Sequence, residues 1–350
     1  MFFGSDNTSP VHPKIMQALA KANEGYVSSY GADPIMEQVR DQVRNLFQAP
    51  DAAVFLVATG SAANALALAT YCPPWGAVYC HKSSHIEVDE CGAPEFYAGG
   101  AKLITIDGDH GKMRPEDLRK SLEPLAHGDV HTVQPGIVSI TNVTEMGTVY
   151  APDEIAALCA IAKDFGIPCH MDGARFANAL QATGATPAKM TWKSGIDILS
   201  FGGTKNGLMA VEAVVIFDPA KAWEFELRRK RGGHLFSKHR YLSAQMNAYL
   251  QDELWLALAQ HSNAMGSKLS KKISALADST ILHPTDANVV FANLPRAVHR
   301  KAQDAGAVYS LVPFYASLDG PGGELLPARL VCSWSTTDGD IDQLIDTFKS

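Results

Sequence analysis

From about residue 52 the chain alternates short apolar runs with stretches of helical periodicity, and this alternation constrains the fold more than any other feature. The apolar runs predict strands at Ala53–Val57, Ala77–Cys80, Lys102–Ile106, Ile137–Thr141, Ile167–Met171, Ile196–Phe201 and Ala213–Phe217. Helical patterns lie between several of them, at roughly 60–70, 86–97, 114–125, 152–165 and 173–183. This order predicts an α/β fold with a mostly parallel, doubly wound sheet sandwiched by helices. Because ligands of such sheets bind at the carboxyl ends of strands, we expect the chemistry in the turns that follow them.

Helical patterns also precede this region. Ser9-Pro10 predicts the start of a first helix, because a capping hydroxyl is followed by proline at the first helical position. A second helix is indicated by apolar residues at helical spacing, namely Val39, Val43, Leu46 and Phe47.

The regular alternation of predicted strands and helices ends at about residue 219. A long helical region, roughly 219–260, leads into helices near 263–277, 296–305 and 338–349 and strands at Val289–Ala292 and Arg329–Ser333. We predict a large domain at residues 1–260, which includes an N-terminal arm at 1–50, and a smaller C-terminal α+β domain at 261–350.

Charge and composition narrow the function classes. The formal net charge of −7 argues against nucleic-acid or membrane binding, because both select broad basic surfaces. The one basic run, Arg228-Arg229-Lys230-Arg231, is interpreted as a solvated helix face or an anion contact, with a nucleic-acid signal as the alternative. Six cysteines without a CxxC pair fit a reducing compartment, and the chain shows neither a secretion signal nor an apolar stretch of membrane-spanning length. We therefore expect a cytoplasmic protein.

The most specific chemical signal is a lone lysine, Lys205, inside the glycine-rich turn Ser200-Phe201-Gly202-Gly203-Thr204-Lys205-Asn206-Gly207. A lysine held in a tight pocket can lose its proton and act as a Schiff-base nucleophile. Asp172 ends an apolar run one βαβ unit earlier. An acid at that position is suited to hold the protonated ring nitrogen of pyridoxal phosphate. Together the two segments predict a site for this cofactor.

A further strand end is followed by Thr59-Gly60-Ser61, which opens a helix. Free N–H groups at a helix start, together with the helix dipole and nearby hydroxyls, form a phosphate cradle. Thr59, Gly60 and Ser61 are therefore candidate phosphate ligands. The segment is neither a Walker A loop nor a GxGxxG motif, and alone it fits a common strand-to-helix turn equally well.

His85 follows another predicted strand and has two functional interpretations besides that of a histidine satisfied in a turn. Its imidazole can lie over a cofactor ring. Alternatively, His81 and His85 are spaced i, i+4 with acids nearby, as in some metal sites, although no HExxH motif is present.

Two arginines are candidate anchors for a substrate carboxylate, which the planar guanidinium can bind in bidentate fashion. Arg175 comes three residues after Asp172 and can point into the same pocket, or it can form a structural ion pair. Arg329 leads an apolar strand and is either a second anchor or a solvated edge residue.

In combination these segments resemble the fold-type I pyridoxal-phosphate enzymes, and more narrowly the threonine aldolase family with its low-specificity and phenylserine members. The resemblance covers nearly the whole chain. Its main carriers are Gly4-Ser5-Asp6-Asn7, Tyr30-Gly31-Ala32-Asp33-Pro34, Thr59-Gly60-Ser61-Ala62-Ala63-Asn64, Ser84-His85-Ile86, His170-Met171-Asp172-Gly173-Ala174-Arg175-Phe176 and the turn around Lys205. The segments closest to the phenylserine type are Asp89-Glu90-Cys91-Gly92-Ala93-Pro94-Glu95-Phe96, Met190-Thr191-Trp192-Lys193 and Arg228-Arg229-Lys230-Arg231.

The resemblance implies a role for each candidate residue. Lys205 would carry pyridoxal 5'-phosphate as a Schiff base, with Asp172 on the ring nitrogen and His85 stacked on the ring. The phosphate would be held by Gly60 and Ser61, and by Thr59. The substrate carboxylate would be held by Ser5, Arg175 and Arg329. His131 resembles a second histidine near the substrate hydroxyl, so His85 and His131 are both candidate bases. Tyr30 matches a loop that reaches the neighbouring subunit, which implies a homodimer or homotetramer with active sites at the subunit interface.

Two segments depart from the commoner members of that family. Thr141-Asn142-Val143-Thr144-Glu145-Met146-Gly147 stands where an E-N-T-H-N-like segment is usual. Gly232-Gly233-His234-Leu235-Phe236-Ser237-Lys238 replaces a G-G-G-M-R-Q segment, which leaves Lys238 as a candidate phosphate contact for the partner subunit.

The activity implied by the resemblance is cleavage of an L-β-hydroxy-α-amino acid, such as threonine, allo-threonine or β-phenylserine, to glycine and an aldehyde. The alternatives are β-elimination or transamination on the same scaffold, a non-catalytic protein that binds the cofactor, and a metal hydrolase built on His81 and His85. No metal is expected for the aldolase.

Overall fold

A computed structural model describes residues 1–125 and 128–349 and contains a large, mostly parallel sheet. Its strands are β1 (Ala53–Val57), β2 (Gly76–His81), β3 (Lys102–Ile106), β4 (Gln134–Thr141), β5 (Cys169–Gly173), β6 (Ile198–Phe201) and β7 (Glu212–Ile216). They are arranged in the order β1-β7-β6-β5-β4-β2-β3. Only β7 among them is antiparallel to its neighbours, so the other six end at the same edge.

Helices cover both faces of this sheet. In chain order the helices are α1 (Pro13–Ala22), α2 (Pro34–Phe47), α3 (Gly60–Tyr71), α4 (His85–Val88), α5 (Ala93–Tyr97), α6 (Pro115–Leu122), α7 (Pro152–Asp164), α8 (Phe176–Thr183), α9 (Pro187–Met190), α10 (Ala222–Arg231), α11 (Arg240–Leu250), α12 (Leu254–Ser274), α13 (Arg296–Asp304) and α14 (Asp338–Lys349). In β1, Val54 and Leu56 face the core shared with α2, whereas Val57 faces the core shared with α3. This alternation is what the pleat imposes on a strand buried on both faces. The predicted doubly wound α/β architecture is therefore confirmed.

Two predicted helices differ from those in the structure. The first helix begins at Pro13 and is capped by His12, whose Nδ1 accepts from the Lys14 N–H. Ser9 instead ends a short 3-10 turn, since its N–H donates to the Asp6 carbonyl. The helix predicted at 86–97 is broken into α4 and α5, because Cys91 has a φ of 51° and the chain leaves the helical region there.

The C-terminal part forms a smaller antiparallel sheet flanked by helices. In the described residues its strands are β8 (Thr280–Ile281), β9 (Val289–Pro295), β10 (Ser310–Leu311) and β11 (Leu325–Val331), in the order β10-β11-β9-β8. The predicted division after residue 260 falls inside α12, and Phe3 from the N-terminal arm packs in the core of the small sheet. The domain boundaries stay a prediction.

One further property concerns membranes. Across the described ranges, no helix combines the length and the apolar character needed to cross a bilayer.

Candidate active site

A cavity of about 290 Å³ opens where the carboxyl ends of the parallel strands meet the small sheet. The residues lining it include Ser5, His85, Glu145, Arg175, Lys205 and Arg329. A larger open groove of about 840 Å³ lies at the opposite edge, where it is lined by strand starts such as Pro168 and Asp197. Since doubly wound sheets bind ligands at the carboxyl edge, we take the smaller cavity as the candidate active site.

Lys205 lies in a rigid turn, Thr204–Asn206, directly after β6. The Gly203 N–H donates to Oε2 of the buried Glu212 at 2.6 Å, and the Asn206 side chain donates to the Tyr249 hydroxyl at 2.7 Å. A Cβ at Gly203 would come within 2.4 Å of Leu208, so glycine is required there. Burial raises the pKa of Glu212 to about 7, although its hydrogen bonds to the turn and the charge of Lys205 oppose that shift.

Asp172 is buried near the end of β5, with both carboxylate oxygens hydrogen-bonded. Its Oδ1 accepts from the Ala174 N–H and its Oδ2 accepts from the Asn64 side chain, both at 3.0 Å. His170, on the same strand, lies between two serine hydroxyls, at 2.9 and 3.0 Å. Burial lowers the pKa of His170 to about 4, so this imidazole stays neutral and cannot replace Asp172 as a charged partner.

His85 is connected to Asp172 through two further side chains. Its Nδ1 lies 2.9 Å from Oε1 of Glu90, and Asn64 donates to that same oxygen at 3.0 Å. The hydrogen bond with Glu90 raises the pKa of His85, burial opposes the shift, and the charges of Glu145 and Asp172 add to it. Asn64 and Glu90 were not among the predicted site residues. A sequence signal exists for Asn64, because it interrupts the apolar helix α3.

The first turn of α3 has the geometry of an anion site. Thr59 is the N-cap, and its side chain accepts from the Ala62 N–H at 3.2 Å. The space in front of Gly60 is open, since a Cβ built there would meet nothing within 4 Å. Because α3 carries Asn64 one turn later, its N-terminus lies on the same side as Asp172. Thr59, Gly60 and Ser61 therefore present a helix start that can hold a phosphate beside the acid.

Arg175 lines the cavity but already has a carboxylate partner within the chain. Its Nε and Nη2 donate to Oδ2 and Oδ1 of Asp6 at 2.6 and 2.9 Å, and Asn288 adds a hydrogen bond to the same acid at 3.1 Å. Burial disfavours the ionised Asp6, but Arg175 outweighs this effect and lowers the pKa of Asp6. Of the two interpretations of Arg175, a carboxylate anchor or a structural ion pair, the structure shows the ion pair.

Arg329 has no ion-pair partner among residues 1–125 and 128–349 and projects into the cavity. Burial and the nearby charge of Arg175 lower the pKa of Arg329. Ser5, in the loop just before Asp6, lines the same cavity. A half-buried guanidinium without a carboxylate is suited to bind one from a ligand.

His131 lies elsewhere. It is exposed and precedes the amino end of β4, where its N–H donates to Asp129 at 2.9 Å. The eight residues of β4 separate it from the cavity edge, a distance of about 25 Å at the usual rise per residue. His131 therefore does not join Lys205 and His85 in this subunit's cavity, and its role as a second catalytic histidine stays a prediction. The other end of β4 instead places Glu145, from the divergent Thr141–Gly147 segment, in the cavity wall.

Tyr30 is also outside the cavity of its own subunit. It is half exposed, its N–H donates to the Ser237 carbonyl at 3.1 Å, and Lys230 lies 5.0 Å from its ring centre. The segment around Tyr30 and the divergent segment that contains Lys238 are thus neighbours.

The structure argues against the alternative metal site, because one of its two predicted histidine ligands is already hydrogen-bonded. His81 Nδ1 is 2.8 Å from the Ser83 hydroxyl and its Nε2 is 3.1 Å from the Gly108 carbonyl. Both imidazole nitrogens are therefore engaged in the turn, and His81 cannot join His85 as a ligand pair in this conformation.

The residues present fit pyridoxal phosphate. A primary amine on a rigid turn, a buried acid at a neighbouring strand end and an open helix N-terminus match the aldehyde, ring nitrogen and phosphate of that molecule. The cavity also adds a guanidinium for a carboxylate.

Comparisons with known proteins agree with this arrangement. The model of the beta-eliminating lyase family matches residues 3–296. The low specificity L-threonine aldolase of Pseudomonas sp. (strain NCIMB 10558) is 40% identical over 342 residues, which cover 98% of this chain and 95% of the relative. The threonine aldolase of Leishmania major superposes with a TM-score of 0.91 at 28% identity, with 99% and 98% of the two chains covered. A structure of SPT with PLP shares the fold alone, with a TM-score of 0.70 at 17% identity over 100% and 86% of the chains.

The fold and the site define a pyridoxal-phosphate-dependent lyase of fold type I. Within this class, the chain belongs to the beta-eliminating lyase family and to its threonine aldolases.

Proposed function

We propose that this protein cleaves L-β-hydroxy-α-amino acids, such as threonine, allo-threonine or β-phenylserine, into glycine and an aldehyde. The single observation that carries the proposal is the meeting of Lys205, His85 and Arg329 in one cavity of about 290 Å³, beside the buried Asp172. The threonine aldolase relatives support the substrate class.

Five residues form the cofactor site in this proposal, besides Lys205. Asp172 would pair with the ring nitrogen, His85 would contact the ring, and Gly60 and Ser61 would hold the phosphate with Thr59 at the helix cap. Pyridoxal phosphate, when bound, supplies an electron-withdrawing ring that accepts the electrons of the breaking Cα–Cβ bond. The negative charge of Asp172 keeps the ring nitrogen protonated, which strengthens that withdrawal.

The substrate is held by its carboxylate. Arg329 supplies a guanidinium whose only hydrogen bond in the described residues goes to the Gly4 carbonyl, and Ser5 supplies a hydroxyl. Arg175 keeps Asp6 and the loop with Ser5 in place. Fixing the carboxylate sets the rotation about the Cα bonds, and this rotation selects which bond breaks.

His85 is the base for the β-hydroxyl proton in this proposal. Its Nδ1 faces Glu90, and Nε2 has no hydrogen-bond partner in the described part of the chain, so Nε2 is the nitrogen that can accept a proton. As that proton leaves the hydroxyl, a carbonyl forms on Cβ and the Cα–Cβ bond opens. Lys205 lines the same cavity and would return a proton to Cα before glycine leaves.

The test is incubation of the purified, cofactor-loaded enzyme with L-threonine and with L-β-phenylserine, with assays for acetaldehyde, benzaldehyde and glycine. Equal amounts of aldehyde and glycine support the proposal. A keto acid with conversion of the cofactor to its amine form indicates transamination, and ammonia release indicates β-elimination. Either result contradicts the aldolase assignment.

We further propose a homodimer or homotetramer whose active sites lie at the subunit interface, with Tyr30 and Lys238 serving the neighbouring cavity. The exposure of Tyr30 and its contact with the segment of Lys238 support this arrangement. Mixing inactive Lys205→Ala subunits with inactive Tyr30→Ala subunits tests it, because mixed dimers regain one intact site. Failure to regain activity in mixtures of confirmed hetero-oligomers contradicts it.

A cytoplasmic location completes the proposal. All six cysteines are free thiols, and five of them are buried, which fits a reducing compartment. Cell fractionation with an antibody to the protein tests this location.

A further inference from the structure

Four buried or half-buried side chains form a continuous series of hydrogen bonds that begins with His85 in the cavity wall. His85 Nδ1 lies 2.9 Å from Glu90 Oε1, and Asn64 Nδ2 donates to Glu90 Oε1 and to Asp172 Oδ2, each at 3.0 Å. Asn64 is 2% exposed, Asp172 3% and Glu90 5%. The series joins the acid that faces the cofactor ring to the imidazole that faces the substrate.

The orientation of the Asn64 amide follows from its partners. Carboxylate oxygens only accept hydrogen bonds, so the NH₂ group of Asn64 has to face both acids and its Oδ1 has to face away. Oδ1 has no hydrogen-bond partner in the described residues, which agrees with that orientation. Asn64 therefore holds two buried acids close together with one neutral group, and it uses one N–H for each.

The second oxygen of Glu90 also lacks a partner in the described ranges, and its side chain is fully buried. A buried carboxylate in that state is costly unless an opposite charge stands next to it. Among the described residues, the His85 imidazole is the one hydrogen-bond partner of Glu90 that can take up a positive charge. The hydrogen bond with His85 therefore offsets the free-energy cost of burying the Glu90 carboxylate.

We propose that Glu90 and Asn64 are positioning residues for the reaction, which fix the Nδ1–H tautomer of His85 and keep its Nε2 directed to the substrate hydroxyl. This inference deepens the proposed function and rests on it for the role of Nε2. Neither residue touches the substrate in this account. They act through His85 and Asp172.

The charged groups that act on the His85 imidazole come from four separate segments. Glu90 and Glu145 stand on separate turns, Asp172 ends β5, and Lys205 follows β6. The acids raise the pKa of the imidazole, with Glu90 contributing most through its hydrogen bond, whereas burial and Lys205 lower it. Removing the charge of Glu90 thus removes the largest single contribution to the pKa shift of His85.

The test uses the cofactor-free protein, so that its outcome does not depend on aldolase activity. The ¹⁵N chemical shifts of His85 report both its tautomer and its titration, and a His85→Gln variant assigns the signals. In Glu90→Gln the amide oxygen still accepts from Nδ1–H, so we expect the tautomer to persist and the pKa of His85 to fall. In Glu90→Leu we expect the pKa to fall and the Nδ1–H preference to disappear.

Asn64→Leu and Glu87→Gln complete the set. Asn64→Leu removes both amide donors at similar volume, and we expect a mixture of His85 tautomers. Glu87 is an exposed acid only two residues from His85, so Glu87→Gln should leave its titration and tautomer unchanged. In the loaded enzyme, Glu90→Gln should shift the acid limb of the pH profile of kcat to lower pH and reduce kcat roughly 10- to 100-fold.

Two results overturn the proposal. One is an unchanged His85 titration in a folded Glu90→Gln protein. If that variant does not fold, Glu90→Asp replaces it. The shorter acid keeps the negative charge but moves it away from His85 Nδ1. An unchanged His85 titration in Glu90→Asp would also overturn the proposal. The other is a wild-type His85 that carries its proton on Nε2 when neutral. If the NMR results hold and no aldehyde forms, the proposed function fails and the positioning role of this series remains for another reaction.

Discussion

Arg175 and Asp6 form a bidentate ion pair that is buried on both sides and joins the N-terminal arm to the end of β5. The pair places Ser5 in the cavity wall, and it removes Arg175 from the list of free carboxylate anchors. The arm is thus part of the active site through a contact that spans 169 residues of sequence.

Asp6→Asn should destabilise the protein because it leaves the Arg175 guanidinium buried without its counter-charge. Removing one partner of a buried pair costs about 3–5 kcal/mol in the free energy of unfolding. Urea unfolding at pH 7 measures this loss. The matched control is Asp117→Asn at the solvent-screened pair with Arg114, where the change should be much smaller. Equal effects of the two substitutions would contradict this account of the pair.

Arg329→Ala should weaken substrate binding with little effect on folding. A hydrogen-bonded charge contributes about 1.5–3 kcal/mol, so KM for threonine should rise about 10- to 100-fold. Arg329→Lys should recover only part of this loss, since an ammonium lacks the planar fork. Arg119→Ala, which breaks a surface pair with Asp164, is the control and should leave KM unchanged. A wild-type KM in Arg329→Ala would remove Arg329 from the site.

Substitutions of the two histidines should have clearly different effects on kcat. His85→Asn should lower kcat about 10²- to 10⁴-fold, the usual contribution of a general base. His131→Asn should leave kcat and KM unchanged, because His131 lies at the far edge of the sheet. Steady-state kinetics with both variants decide between them. A large loss in His131→Asn would mean that this histidine reaches a neighbouring subunit's cavity.

Glu212 gives the stability a pH dependence of known sign. Burial raises the pKa of Glu212 in the folded protein to about 7, from 4.5 for an ordinary glutamate, so the folded state binds more protons than the unfolded state between these pH values. Stability therefore falls as pH rises from about 4.5 to about 7 and levels off above.

Glu212→Gln removes this dependence. Relative to the wild type, the variant should gain stability between pH 5 and pH 8, by at most about 3 kcal/mol for a shift of this size. Urea unfolding at the two pH values measures the difference, and Glu116→Gln, at an exposed position, should show none. A constant difference between wild type and Glu212→Gln across this range would contradict the assignment.

The strands could be predicted from the sequence because each is a short, buried apolar run. Ala53–Val57 and Lys102–Ile106 agree in both bounds. The reversed direction of β7 could not be predicted, because a strand's apolar pattern does not depend on its direction in the sheet. The first helix begins three residues after the predicted proline, since His12-Pro13 carries the same type of start signal as Ser9-Pro10.

In the site, Lys205 and Asp172 were predicted because each stands alone as a reactive residue at the end of an apolar run. Asn64, Glu90 and Glu145 were missed because their roles depend on contacts between distant segments, such as the 108 residues between Asn64 and Asp172. For His131 the opposite holds. Its local context resembles a family position, but it precedes the amino end of β4, away from this subunit's cavity.

The central claim is that Lys205 carries the cofactor, and covalent mapping tests it most directly. The loaded enzyme is reduced with sodium borohydride, which fixes the cofactor on the amine that holds it, and the digested protein is mapped by mass spectrometry. We predict a pyridoxyl phosphate group on Lys205 and none in Lys205→Ala. Attachment to another lysine, or equal labelling of the Lys205→Ala protein, would contradict the account.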